Sequence, residues 1–64
     1  MIAKEMTILD IVEQYPKAED IFRSYDQLVG KCVLCNNLFD SLDNFATENN
    51  IDLKDLINKI ELLI

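Results

Sequence analysis

Cys32 and Cys35 are the only cysteines in a chain of 64 residues that contains no histidine, and they stand in the pattern Cys-x-x-Cys. Two thiols at this spacing can close a small disulfide ring and reopen it by exchange with a partner, the thiolate being the attacking species. They can also supply half of a four-thiolate zinc or iron–sulfur site, with Cys32 and Cys35 of a second copy completing it across a dimer. A third reading is inert packing, since free cysteine is among the most buried residue types. A structural brace explains the pair poorly. In the chain-entropy picture a disulfide closing 15 residues contributes about 3 kcal/mol, and one closing four contributes only about 2.

The residues around the pair favour the thiolate. From Gln27 to Phe39 the only charged side chain is Lys31, inside a protein of net charge −6. An ammonium beside a thiol stabilises its anion. Should Val33 to Asn37 form a short helical turn, Cys32 caps it, and the unpaired backbone N–H groups at that end favour a negative sulfur further. Cys32 is then the attacking thiol and Cys35 the one that resolves the mixed disulfide. Gly30, the only glycine, lets the chain turn tightly and leaves Cys32 open. The plainer account makes Lys31 a solvated surface residue, Gly30 turn punctuation, and Val33, Leu34, Leu38 and Phe39 a plug for the core.

Composition narrows the alternatives. The absence of histidine removes the usual general base near neutral pH and the usual nitrogen ligand of zinc or iron, which excludes Cys-His proteases, Ser-His-Asp hydrolases and two-histidine metal sites. Twelve acidic residues against six basic ones argue against nucleic acid and against an anionic membrane surface, both of which are bound through Lys and Arg. The acidic residues fall at helix starts and outer faces, and none is nominated as a catalytic acid or base. No apolar run approaches the roughly 20 residues needed to cross a bilayer. Met1 to Asp10 lacks the pattern of a signal peptide, so the expected compartment is the cytoplasm. At this length the chain is expected to form one small domain, residues 1–64, with a marginal core.

Four helices are expected to position the pair. In the first, Ile8, Ile11, Val12 and Tyr15 share a face. Thr7 is the N-cap, Asp10 completes a capping box, and Met6 is placed to staple onto Ile11. Pro16 ends this helix and opens the next at its first position. The second carries Ala18, Ile21, Phe22 and Tyr25 on one face, with Glu19 and Asp20 in its first turn, and should end near Tyr25 or Asp26. Leu42, Phe45 and Ala46 mark the third, capped by Asp40 or Ser41, with a left-handed exit at Asn49-Asn50 and Ile51 folding back. The fourth is capped by Asp52, has Asp55 at the box position, and buries Leu53, Leu56, Ile57, Ile60 and Leu63. Leu9, Leu62 and Ile64 are left for a partner surface. No segment alternates apolar with polar, so no sheet is expected. The fold class is all-α, a compact orthogonal array of four short helices with a further short turn at the cysteine pair.

The order of these pieces resembles the hybrid cluster protein-associated redox disulfide domains, a family whose function is not established. The resemblance covers nearly the whole chain. It rests on Met6-Thr7-Ile8-Leu9-Asp10-Ile11-Val12, the Tyr15-Pro16 corner, the Phe22 to Tyr25 helix end, Cys32-Val33-Leu34-Cys35, and the helix pair from Leu42 onward with Asn50-Ile51-Asp52 at its junction. It implies an orthogonal helical array and a redox-active pair at Cys32 and Cys35. The chain is more loosely similar to the N-terminal domain of iron–sulfur cluster repair proteins, which carry adjacent cysteines in a corresponding place. Two positions depart from the family pattern. Asp26 stands where glycine usually follows the second helix, and Leu34 stands where glycine often precedes the second cysteine.

The expected function is that of a cytosolic dithiol/disulfide module, accessory to an iron–sulfur or hybrid-cluster enzyme rather than an autonomous enzyme. It is expected to need no cofactor, to act on a protein partner, and to be a monomer or weak homodimer. The alternative is a non-enzymatic helical interaction domain in which both cysteines are packed and inert.

Overall fold

The computed structural model describes all 64 residues and contains six helical segments. These are α1 (Ile8–Gln14), α2 (Ala18–Ser24), α3 (Asp26–Val29), α4 (Val33–Asn36), α5 (Leu42–Glu48) and α6 (Leu53–Leu63). The all-α class expected from apolar periodicity is the class observed, and the segments are too short to be stable without one another. Eleven buried apolar residues make one core cluster, from Ile2 through Ile60. At its centre the Phe45 ring meets Phe22 and Tyr25 edge-on, each with centroids 6.4 Å away, the arrangement that aromatic quadrupoles favour.

The helix ends follow their local chemistry. The Thr7 hydroxyl accepts the Asp10 N–H at 3.1 Å and the Asp10 carboxylate accepts the Thr7 N–H at 3.3 Å, the reciprocal capping box. The chain leaves α1 at Tyr15 (φ −132°, ψ 82°), as a following proline demands. Pro16, expected as the first residue of α2, lies instead in a tight turn before it. Successive bonds from Ala18 to Tyr15, Glu19 to Pro16 and Asp20 to Lys17 span three residues each, and α-helical spacing begins only at Ala18. Asn50 takes a left-handed conformation (φ 55°), and the Ile51 N–H returns to the Ala46 carbonyl at 2.9 Å. That is the long bond of a Schellman ending.

The structure also refines or corrects other expectations. The second helix does not give way to a loop at Tyr25 or Asp26. A further turn, α3, follows at once because the Tyr25 and Asp26 carbonyls accept from Val29 and Gly30. Of the two caps expected for α5, Ser41 is the one used, accepting the Asn44 N–H, while the Asp40 carboxylate accepts from Asn37. Asp52 caps α6 as expected, but Asp55 closes no box and pairs with Lys59 one turn on. Leu63, placed on the inner face, is 40% exposed, so the spacing that buries Leu56 and Ile60 does not bury it. Ile2, assigned to no helix, enters the core, its N–H held by the Glu61 carboxylate at 3.2 Å.

No strand forms, yet one antiparallel bridge joins Thr7 to Ser41. It binds the starts of α1 and α5 to one another. Ile8 donates to Asp40 and Leu9 to Leu38; Leu42 donates to Met6 and Asp43 to Lys4. With the two hydroxyl caps, the first three amides of both helices all find acceptors. This clamp ties together the two ends of the segment running from the start of α1 to the start of α5, which carries the cysteines.

Candidate functional site

The cysteine segment is bounded by two local devices. Gly30 caps α3 in the left-handed region (φ 83°), with its N–H on the Asp26 carbonyl at 2.8 Å. The Lys31 N–H shares that carbonyl at 3.2 Å. An L-residue with a Cβ adopts this conformation at a cost of roughly 1–2 kcal/mol, so the lone glycine falls where the chain must reverse. Cys32 then takes an extended conformation and caps α4. Val33 is fully buried and anchors α4 against α2.

Cys32 and Cys35 are joined in a disulfide across the turn of α4. The Cys35 N–H points at Cys32 Sγ, 3.1 Å away. The Cys32 carbonyl accepts both the backbone N–H and the side-chain amide of Asn36, at 3.1 and 2.9 Å. Cys32 is half-buried and Cys35 exposed, and neither belongs to the core cluster. It is Val33 that plugs the core, while Leu34 is partly buried and Phe39 is 82% exposed.

The sequence expectations meet here in part. Cys32 is the N-cap, Gly30 makes the turn, and a short helix follows as anticipated. Lys31 is exposed and joins no ion pair; the two salt bridges in the protein are Arg23–Glu19 and Lys59–Asp55. The local charge is moreover not that of Lys31 alone. The carboxylate of Asp26, half-buried at the start of α3, accepts the Val33 N–H at 3.0 Å. It enters the same helix end as the Cys32 sulfur from outside the window in which Lys31 was the only charge.

Two residues of the site carry no functional signal in the sequence. One is Asp26, seven positions from its partner, beyond the reach of any helical spacing. The other is Asn37, which is 6% exposed. Its side-chain N–H donates to the Asp40 carboxylate at 2.7 Å, while its own oxygen is buried without a partner. A polar residue bordering an apolar run carries no signal for such burial.

What the arrangement can do chemically is limited and definite. No group of three or more Cys, Asp or Glu side chains is placed to hold a metal ion. Surface hollows of about 370 and 260 Å³ lie at Asn58, Glu61 and Leu62, and between Tyr15, Pro16 and Ile64. Neither touches a cysteine. No helix is long and apolar enough to cross a membrane. The chain matches no protein-family model, no curated protein and no solved structure.

Proposed function

We propose that the protein is a cytoplasmic dithiol/disulfide module that exchanges electrons with a protein partner, as an accessory to an iron–sulfur or hybrid-cluster enzyme. The observation that carries the exchange chemistry is the Cys32–Cys35 disulfide, spanning an exposed helical turn with a backbone N–H aimed at the Cys32 sulfur. That N–H, with the end of the α4 dipole, stabilises negative charge on Cys32 once the bond is open. That neither surface hollow touches a cysteine favours a macromolecular partner over a small substrate.

In the forward direction the Cys32 thiolate attacks a disulfide of the partner. One partner sulfur leaves as a thiolate and takes up a proton, and a mixed disulfide remains at Cys32. Cys35 loses its proton and attacks the Cys32 sulfur, which restores the Cys32–Cys35 bond and releases the second partner thiol. Two electrons pass from the dithiol to the partner, and a dithiol donor reverses the sequence.

Equilibration of the folded protein against glutathione redox buffers, read by thiol alkylation, tests this reading. A two-electron transition in the native state, with Cys32 alkylating faster than free cysteine at neutral pH, is the expected result. A disulfide that opens only on unfolding, or thiols that react no faster than free cysteine, overturns it.

A further inference from the structure

We propose that Asp26 is a positioning residue for the redox pair, whose charge raises the pKa of Cys32 and so sets how readily the reduced pair attacks. The inference rests on the dithiol/disulfide reading and assigns that site its regulator. The geometry behind it is the single bond from Val33 N–H to Asp26 Oδ1 at 3.0 Å. Val33 N is the first amide of α4 and is covalently joined to Cys32. The carboxylate oxygen therefore lies within roughly 8 Å of Cys32 Sγ by covalent geometry alone.

That separation is no greater than the distance over which salt screens charges in solution, and Asp26 is half-buried. Carboxylate and thiolate compete for one short helix end. Asp26 takes the first amide, and the sulfur keeps the Cys35 N–H. Two like charges at one site disfavour the second ionisation. Asp26 thus opposes the effect of the α4 amides on Cys32.

Other charges near α4 do not duplicate it. α2, which packs on α4, carries Glu19 and Arg23, which are paired with each other, and Asp20, which is exposed. The Tyr25 hydroxyl is engaged by Lys59 of α6. Asp40 is bound by Asn37 beyond the far end of α4, and Lys31 is exposed in the linker. Only Asp26 binds an amide of the helix start that Cys32 caps.

Asp26→Asn keeps an oxygen for the Val33 N–H and removes the charge. The experiment follows the ultraviolet absorbance of the thiolate against pH, in fully reduced protein carrying Cys35→Ser so that one thiol titrates. Asp26→Asn should lower the Cys32 pKa by about one unit. Thiolate at neutral pH then rises by at most about tenfold, and because nucleophilicity falls with pKa, alkylation should speed up by at most about threefold. Asp26→Glu should restore the higher pKa, a rescue that a purely structural role would not give. Circular dichroism confirms that each variant is folded.

An unchanged Cys32 titration in folded Asp26→Asn overturns the assignment, as does Asp26→Glu behaving like Asn. Because the titration uses chemically reduced protein, it does not depend on exchange with a partner. A pKa that follows Asp26 in a protein whose disulfide never exchanges in the native state would sink the redox reading alone.

Discussion

Thr7 and Ser41 face one another across a single antiparallel bridge, each the N-cap of a different helix. The pairing makes two helix starts into one structural unit. Each hydroxyl satisfies an amide of its own helix, and the neighbouring amides cross to the segment that precedes the other helix.

Replacing either cap by alanine should therefore lower stability by about 1 kcal/mol. Urea unfolding of Thr7→Ala and Ser41→Ala, each with an unchanged slope, checks this. A midpoint equal to that of the parent for both variants would show that the crossing backbone bonds hold the clamp without the hydroxyls.

Gly30 stands at φ 83° with nothing within 4 Å of where a Cβ would be. Gly30→Ala should thus cost about 1 kcal/mol from backbone strain alone, and Gly30→Asn less, since asparagine tolerates the left-handed region. Thermal melting of the two variants orders them. An alanine variant as stable as the parent would mean that the left-handed cap is dispensable.

On the proposed exchange, Cys35→Ser should accumulate a mixed disulfide with an added protein or peptide disulfide, because nothing would resolve the bond formed at Cys32. Cys32→Ser should accumulate much less, lacking the sulfur that receives the Cys35 N–H. Mass spectrometry of the trapped species decides. Stronger trapping by Cys32→Ser would exchange the roles of the two cysteines.

Lys59 bonds the Tyr25 hydroxyl at 3.3 Å and pairs with Asp55 at 3.2 Å. First the Tyr25 hydrogen bond and then that to Asp55 hold its ammonium above the ordinary value of 10.5. A folded-state pKa above the unfolded one stabilises the protonated, folded protein. The contribution is complete below pH 10.5 and is lost as pH rises through the higher folded value. In that alkaline window the parent should lose more stability than Lys59→Gln, as measured by urea midpoints on either side of it. Parallel pH profiles would refute the linkage.

The local reading reached Thr7 and Asp10, Asp52, the Tyr15-Pro16 corner and the left-handed Asn50 because a cap or a turn depends on a few adjacent residues. It reached Phe22, Phe45, Leu56 and Ile60 because helical spacing alone sorts them to one face. It misplaced Leu63, whose spacing is equally correct, because burial also requires something to cover the face. It missed α3 because the Asp26 to Val29 turn has no apolar stripe of its own, and its closing glycine was read as part of a loop.

From the sequence alone came the all-α class, the starts of α1 and α6, and the Cys-x-x-Cys pair with Cys32 at the head of a short turn. These follow from short-range sterics and hydrogen bonding, which act between residues a few positions apart. The tertiary structure alone decided that Thr7 meets Ser41, that the Tyr25 hydroxyl reaches Lys59, and that Asp26 bends past Gly30 to the amide beside Cys32. Which surfaces meet depends on how all six segments close around one core, and a carboxylate seven residues from the Val33 amide comes within reach of it only after the chain has turned back.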